Sequence, residues 1–270
     1  MTNYSQVDKI SLLLEEALEN SVGNVAGSSR AVMFTGGFDS LLLARLAQRG
    51  GAEVTAITVQ FEDFNPLTVA TASELAQRTG ISHHVIQVEA AEFLSAFEKL
   101  AEILDQPPMD LDLAVVYAAL EKYDPKIAGK VFISGMGSDQ WFGDVPAEGN
   151  MLEAVKMHQR VAWVHGYSFV FPFLSQPMRT ISQQIPAVMK KDKEILRALS
   201  IAKHIPRQKI KREEQVPPAM RRLLIKVYGD RAWPEPIMPE GISWGANNRA
   251  LHQIALGLWL EKAKPKTAKV

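Results

Sequence analysis

Apolar runs alternate with amphipathic stretches through the first half of the chain. Four mainly apolar runs are predicted as strands: residues 31–34, 54–59, 84–88 and 131–134. The run at residues 54–59 is continuously apolar or β-branched, which is typical of a parallel strand covered on both faces. Segments around them carry apolar residues at helical spacing: residues 10–18, 41–49, 66–79, 93–104 and 111–122. Strands that alternate with helices predict an α/β fold built on a doubly wound parallel sheet.

This alternation fades after about Ala147, where prolines become frequent and only helical spacing remains. The segments with that spacing are residues 152–164, 191–203 and 246–262. We therefore expect three parts: an N-terminal helix and loop (1–29), an α/β core (30–146) and a C-terminal helical lobe on the substrate side (147–270). The basic tail, residues 262–270, is interpreted as a solvated chain end rather than a nucleic-acid-binding arm.

The sequence TGGFDS, residues 35–40, joins the first predicted strand to the helix that follows it. Gly36 and Gly37 allow a sharp turn that directs backbone N–H groups toward an oxyanion. Thr35 and Ser40 add hydroxyl donors, and the start of the helix adds its positive end. Asp39 is an acceptor among donors, as a Mg²⁺ ion carried by a nucleotide requires. The loop thus predicts a phosphate site, with an ordinary strand-to-helix connection as the alternative.

A second glycine loop, SGMGSDQWFG at residues 134–143, follows the fourth predicted strand. It also combines glycines, a hydroxyl group and one carboxylate, that of Asp139. Ligands of open α/β sheets bind beyond the carboxyl ends of the strands, where both loops begin. Asp39 and Asp139 are therefore expected to lie at the ends of neighbouring strands and to share one Mg²⁺ ion.

Composition limits the classes of function. The 270 residues include 30 basic and 30 acidic side chains, so no overall charge favours nucleic acid or an anionic membrane as a partner. The chain has no cysteine, which excludes disulfides, Cys–Zn sites, Fe–S clusters and thiolate catalysis within it. No apolar run reaches membrane-spanning length and the first residues do not resemble a signal sequence, so we expect a cytoplasmic enzyme.

Four motifs together resemble the synthetase half of the asparagine synthetase family, which includes the β-lactam-forming synthetases. TGGFDS corresponds to the family's SGGxDS loop, and SGMGSDQWFG corresponds to SGxGSDExFGG. Residues 171–174, FPFL, correspond to the PFLD segment, and Lys193 begins a K-x-x-L-R motif that is followed by Ile205-Pro206. The resemblance implies the Rossmann-like fold of the N-type ATP pyrophosphatases.

The resemblance also implies an ATP-dependent ligase that adenylates a carboxylate, releases pyrophosphate and forms an amide with ammonia or an amine. Four residues would hold pyrophosphate: Thr35, Gly36, Gly37 and Ser40. Four would contact adenosine: Phe34, Val59, Ser134 and Gly135. Asp39 and Asp139 would bind Mg²⁺, and Lys193 would reach the leaving pyrophosphate. The family has a further lysine after its Leu-Pro step; the count from Pro206 reaches Glu214, and Lys211 is the nearby candidate.

Several positions depart from the family pattern. Met136 replaces a Glu or Tyr that handles a proton or the intermediate, and Gln140 replaces a Glu. Val170 and Ser175 replace the Arg and Asp of the R-x-PFLD segment. These changes favour ATP binding over amide formation and indicate a carboxylate less polar than aspartate, on a small molecule or peptide. The alternatives are a non-catalytic or regulatory ATP-binding subunit and an enzyme that adenylates a tRNA base.

The source of the amine is a separate expectation. Asparagine synthetases carry an N-terminal glutaminase domain with a cysteine nucleophile, whereas this sequence has no cysteine and only residues 1–29 before its first predicted strand. The amine is therefore expected to be free ammonia, a bulkier amine, a group within the substrate, or ammonia from a glutaminase on another chain.

Overall fold

The computed structural model of the protein describes residues 4–25, 27, 29–143, 151–205, 216–233 and 246–262. Its sheet has five strands in the order β3-β2-β1-β4-β5, and every neighbouring pair is parallel. The strands are β1 (Ser29–Met33), β2 (Glu53–Phe61), β3 (Ser82–Val88), β4 (Val131–Ile133) and β5 (Ser168–Val170). The predicted doubly wound parallel sheet is confirmed.

Twelve α-helices lie in the described part of the chain. They are α1 (Tyr4–Gly23), α2 (Phe38–Arg49), α3 (Pro66–Thr79), α4 (Ala90–Ile103), α5 (Leu111–Lys122), α6 (Ser138–Phe142), α7 (Met151–Val164), α8 (Gln176–Ser182), α9 (Ala187–Lys190), α10 (Glu194–Arg197), α11 (Val216–Tyr228) and α12 (Ala246–Lys262). Short 3₁₀ segments cover Pro172–Leu174, Lys191–Lys193 and Ile201–His204. None of the helices described is long and apolar enough to cross a membrane.

The central strands divide the apolar side chains between two cores. Ala31 of β1 and Phe132 of β4 face one core, which α4, α5, α7, α11 and α12 complete. Val32 and Ile133, the next residue on each strand, face a second core built from α1, α2, α3 and the segments after β5. All four side chains are fully buried, because successive residues of a strand point to opposite faces. This explains why these strands read as continuous apolar runs rather than as alternating ones.

The expectation that the α/β alternation ends near residue 147 is wrong. Strand β5 lies beyond that point and pairs in parallel with β4 through Phe132 and Phe169. It has only three residues, too few to display a period-2 pattern in the sequence. The sheet thus extends into the predicted helical lobe, residues 147–270, while the division into three parts stays a prediction.

The single helix expected at residues 191–203 is also wrong. Asp192 and Lys193 have positive φ angles of 52° and 59°, which break the segment into 3₁₀ turns and the short helix α10. The helix expected at residues 246–262 is confirmed as α12. The basic tail beyond Lys262 lies outside the described residues.

Glu15 ties α1 to two other segments of the second core. Its carboxylate accepts hydrogen bonds from the backbone N–H of Ser200, at 2.6 Å, and from the Ser200 hydroxyl, and it pairs with Arg49 of α2 at 2.8 Å. Burial alone would raise the pKa of this carboxyl group, but the bonds from Ser200 and Arg49 outweigh burial and hold the pKa below its ordinary value.

Because the folded-state pKa of Glu15 is lowered, its contribution to stability is present at neutral pH and is lost as the pH falls through that pKa. We expect Glu15→Gln to reduce the free energy of unfolding by about 2 kcal/mol at pH 7, and by much less at pH 3. Urea unfolding at both pH values measures this difference. Glu16→Gln, an exposed neighbour on the same helix, is the control and should change little at either pH. Equal losses for Glu15→Gln at both pH values would contradict the assignment.

Candidate active site

The turn between β1 and α2 has the shape predicted for a phosphate loop. Gly36 has a φ angle of +72°, and a Cβ atom at this position would lie 3.1 Å from the backbone nitrogen of Ala72 in α3. Gly37 precedes the first turn of α2, and no side chain caps that helix end. The N terminus of α2 therefore directs its backbone donors toward the space above β1, where an anion would be stabilised.

The two hydroxyl groups of this loop are oriented by its own backbone. The N–H of Gly37 donates to the Thr35 hydroxyl oxygen at 3.4 Å. The Ser40 hydroxyl donates to the Gly37 carbonyl at 3.1 Å, and Ser40 is only 6% exposed. Ser40 is thus held against the backbone of the loop, and the contacts of Thr35 and Ser40 with pyrophosphate stay predictions.

The second glycine loop lies directly against the first. Gly137 has a φ angle of +91°, and a Cβ on Gly135 would lie 3.3 Å from the Cβ of Asp39. The hydroxyl group of Ser138, at the start of α6, donates to Asp39 Oδ1 at 2.8 Å. The expectation that the loops after β1 and β4 adjoin is confirmed, because these strands are neighbours in the sheet.

Lys193 brings the two predicted metal-binding aspartates together. Its ammonium nitrogen Nζ contacts Asp39 Oδ2 and lies 2.8 Å from Asp139 Oδ1. The Lys193 side chain is 13% exposed, against 21% for Asp39 and 39% for Asp139. The left-handed backbone at Asp192 and Lys193 costs free energy, and such strain persists where surrounding contacts hold it in place. Here those contacts place a cation between two carboxylates.

This arrangement fits a divalent metal ion carried by a nucleotide. The Lys193 ammonium group marks a position where a positive charge is stabilised by two oxygen ligands of the kind that Mg²⁺ prefers. No set of three or more His, Cys, Asp or Glu side chains within the described ranges could hold a metal by itself. The remaining ligands would have to be phosphate oxygens and water, as is usual for Mg²⁺ in nucleotide sites.

The residues predicted to contact adenosine lie at the carboxyl ends of their strands, but not all side chains are available. The Phe34 ring is 1% exposed and belongs to the second core, so only its backbone can contact a ligand. The N–H of Ser134 donates to the Val170 carbonyl at 2.9 Å, and the Ser134 hydroxyl oxygen accepts from the N–H of Met136 at 3.3 Å. Val59 is half-buried on the part of β2 that extends past β1.

Three further residues at the site did not emerge as site residues from the sequence. Ser138 binds Asp39, and the Thr58 hydroxyl donates to the Phe34 carbonyl at 2.5 Å. The Arg197 guanidinium lies 4.3 Å from the centre of the Phe38 ring and donates through Nε to the Asp192 carbonyl at 3.1 Å, bracing the turn that carries Lys193. Ser138 lies in the SGMGSDQWFG motif and Arg197 in the K-x-x-L-R motif. Thr58 lies in an apolar strand, and no neighbouring residue in the sequence indicates a functional role for it. Lys211 and Glu214 lie outside the described residues.

Residues 13–187 match the family model described as asparagine synthase, which covers more than half of the chain. The chain belongs to the asparagine synthase family. ATP binding is typical of this family, and the two glycine loops are the parts of the structure that suit it. The suspected family relationship is thus confirmed.

Part of this sequence is similar to parts of several known proteins. It is 30% identical over 143 residues to proteins named "Putative asparagine synthetase", glutamine-hydrolyzing, from Mycobacterium tuberculosis and Mycobacterium bovis. That alignment covers 52% of this chain but only 21% of the mycobacterial proteins. The chain is also 27% identical over 62 residues to 7-cyano-7-deazaguanine synthase 1 of Sphingopyxis alaskensis, an alignment that covers 23% of this chain and 28% of that protein.

Among solved structures, the NMN synthetase of Francisella tularensis aligns with 98% of this chain and 99% of its own. The sequence identity is 17% and the TM-score is 0.42. At that level of similarity the comparison adds nothing about ligands or chemistry.

The cramped position of Gly36 gives a test of the first loop. Gly36→Ala would combine a positive φ with a close contact to the α3 backbone, whereas Gly51 has a φ angle of +80° and nothing within 4 Å of an added Cβ. We expect Gly36→Ala to cost about 2–3 kcal/mol of unfolding free energy and Gly51→Ala about 1 kcal/mol. Only Gly36→Ala should also abolish the thermal stabilisation by ATP. Equal costs and unchanged ATP responses in the two variants would show that the loop does not depend on this contact.

Proposed function

We propose that the protein is an ATP-dependent ligase that adenylates a carboxylate and transfers the acyl group to ammonia or an amine. A carboxylate oxygen of the substrate attacks the α-phosphorus of ATP, and the bond from that phosphorus to the bridging oxygen of pyrophosphate breaks. The nitrogen nucleophile then attacks the acyl carbon, AMP leaves, and the nitrogen loses a proton as the amide forms. The observation that supports this proposal most strongly is the convergence of Asp39, Asp139 and Lys193 above two glycine loops.

In the first step, different residues would bind the phosphates, stabilise the leaving group and hold Mg²⁺. The backbone of Thr35, Gly36 and Gly37, with the N terminus of α2, would bind the β- and γ-phosphates and hold them in line for departure. The ammonium group of Lys193 would stabilise the negative charge that develops on pyrophosphate. Asp39 and Asp139 would hold Mg²⁺, which, when bound, neutralises phosphate charge and helps to orient the leaving group.

Lys193 would have to exchange partners during this reaction. Without nucleotide its charge balances Asp39 and Asp139. Asp39 and Asp139 would hold Mg²⁺, whose positive charge would then balance theirs, and the Lys193 ammonium group would be free to bind the phosphates instead. The same side chain would thereby keep two close carboxylates from repelling each other before ATP binds and assist departure of pyrophosphate afterwards.

The second step has less support within the chain. Met136, in the loop after β4, is half-buried and cannot accept a proton from an attacking amine. The proton would have to pass to the substrate, to water or to a residue beyond those described. This observation favours, as the second candidate, an ATP-binding subunit of the same fold without turnover. Adenylation of a tRNA base is the third, although the zero net charge offers no electrostatic attraction for nucleic acid.

The substrate class follows from the same loop and its neighbours. Met136, Val170 and Ser175 stand where charged or proton-transferring groups are found in the resembling family, so we infer a carboxylate with an apolar body, on a small molecule or peptide. The nitrogen nucleophile would be free ammonia, a bulkier amine, an amine within the substrate, or ammonia released by a glutaminase on another chain. A cytoplasmic location stays a prediction.

The proposal predicts that purified protein releases AMP and pyrophosphate from ATP in the presence of its carboxylate, and catalyses exchange of labelled pyrophosphate into ATP. Asp39→Asn should reduce both activities by about 10²–10³-fold, because it weakens the proposed Mg²⁺ site through which the phosphates would be positioned. The melting temperature without ligand should fall by only a few degrees. Asp8→Asn, an exposed aspartate on α1, is the control and should retain full activity.

Retention of exchange activity by Asp39→Asn would contradict the proposed site. If the wild-type protein is stabilised by ATP but produces no AMP with any of a broad panel of carboxylates, the ATP-binding subunit becomes the better account. Salt-sensitive binding of tRNA, together with AMP production that requires tRNA, would support the third candidate.

A further inference from the structure

Strand β2 extends past the end of β1 on the side that faces the phosphate loop. The register between these strands ends with Met33 opposite Ile57, and one more bond follows, from the N–H of Phe34 to the Ile57 carbonyl at 2.8 Å. Successive residues of a strand direct their backbone groups to alternate sides, so the groups of Val59 and Phe61 point the same way as those of Ile57. They therefore face the space beyond β1.

A regular parallel ladder would continue with the Val59 N–H donating to the Phe34 carbonyl. Within the part of the chain that the structure describes, no such bond is made. The Phe34 carbonyl instead accepts from the hydroxyl of Thr58, which is 2% exposed, at 2.5 Å. A side chain thus takes the acceptor that the neighbouring backbone donor would normally use.

The next groups along this edge are satisfied by one side chain. Asn65, just before α3, donates through Nδ2 to the Val59 carbonyl at 3.0 Å, and its Oδ1 accepts from the Phe61 N–H at 3.0 Å. The amide of Asn65 therefore replaces one residue of a missing strand. Of the backbone groups of Val59 and Phe61 that face this space, the Val59 N–H is the one for which the described residues supply no acceptor.

His83 fixes the direction in which the Thr58 hydroxyl donates. The Phe34 carbonyl can only accept, so the single hydroxyl hydrogen of Thr58 is used there. His83 Nε2, at 2.7 Å from Thr58 Oγ1, must then be the protonated nitrogen of the ring and donate to it. His83 Nδ1 lies 3.1 Å from the Ser73 hydroxyl oxygen. The single hydrogen of that hydroxyl can be donated either to this nitrogen or to the Val69 carbonyl, which lies 2.9 Å away. Burial, with the nearby His84, lowers the pKa of His83, in agreement with a neutral ring.

We propose that Thr58 and His83 are positioning residues that turn the Phe34 carbonyl away from the Val59 N–H and so leave that N–H to bind a ring nitrogen of the ATP base. This inference rests on the proposed function, since it specifies how the adenosine end of that site is prepared. Adenine suits the edge because its N1 accepts a hydrogen bond and its 6-amino group can donate to the second lone pair of the Val59 carbonyl. Guanine has an N–H at position 1 and a carbonyl at position 6. Its N–H would face the Val59 N–H and its carbonyl would face the Val59 carbonyl, so neither hydrogen bond could form.

The test combines three variants with two nucleotides. Thr58→Val keeps the shape of the side chain but removes the hydroxyl, so the Phe34 carbonyl can pair with the Val59 N–H and close the edge. Thr58→Ser retains the hydroxyl. Thr55→Val removes another buried hydroxyl from β2 and is the matched control. The second nucleotide is 1-deaza-ATP, in which a C–H replaces the N1 of adenine. Affinities are measured by calorimetry with Mg²⁺ present, and the fold of each variant is checked by thermal melting.

We expect wild type, Thr58→Ser and Thr55→Val to bind ATP about tenfold more tightly than 1-deaza-ATP, the value of one hydrogen bond. Thr58→Val should bind ATP about tenfold more weakly than wild type and should bind both nucleotides equally. Equal affinity of the two nucleotides for the wild-type protein overturns the inference without any variant. Discrimination that persists in Thr58→Val overturns it as well, because Thr58 would then be merely structural.

The two proposals fail in different ways. A wild-type protein that binds neither nucleotide refutes the proposed function, and the inference with it. A wild-type protein that binds ATP and responds to Asp39→Asn, but does not distinguish ATP from 1-deaza-ATP, leaves the proposed function intact and refutes only the inference.

Discussion

Two carboxylates that meet at one positive charge organise the carboxyl edge of this sheet. Asp39 and Asp139 come from different loops, and two ionised carboxylates in a half-buried position repel each other unless a cation lies between them. Lys193 supplies that cation from a third segment, whose backbone is forced into the left-handed region to reach the site. Lys193 therefore holds both aspartates, and the two aspartates together hold Lys193.

The topology of the sheet makes this meeting possible. Strand β1 lies at the centre of the order β3-β2-β1-β4-β5, with β2 on one side and β4 on the other. The loop after β1 consequently touches α3 through Gly36 and the second glycine loop through Gly135. Phosphates placed above β1 would have the carboxylates on the β4 side and the open edge of β2 on the other. In the proposed function, the two ends of a nucleotide would lie on opposite sides of one strand.

Sequence patterns predicted the parts of this structure that depend on local chemistry. The mainly apolar runs predicted four of the strands. The motifs TGGFDS and SGMGSDQWFG predicted both loops, because glycine, aspartate and hydroxyl residues directly after a buried strand are typical of a phosphate-binding loop. The family motif singled out Lys193. By contrast, β5 has too few residues to show periodicity, and the break at Asp192 and Lys193 is imposed by tertiary contacts against the helical preference of the segment. Thr58 could not be singled out either, because its role depends on where β1 ends relative to β2.

The most direct test of the shared cation site is a crystal structure with Mn²⁺ and an ATP analogue whose α,β-bridging oxygen is replaced by a methylene group. The account predicts an anomalous peak for one Mn²⁺ ion between Asp39 and Asp139, with the phosphates on the loop at Thr35–Gly37 and the ammonium group of Lys193 moved from the aspartates to the phosphates. A nucleotide bound elsewhere, or Lys193 still bridging the two aspartates beside a bound nucleotide, would contradict it.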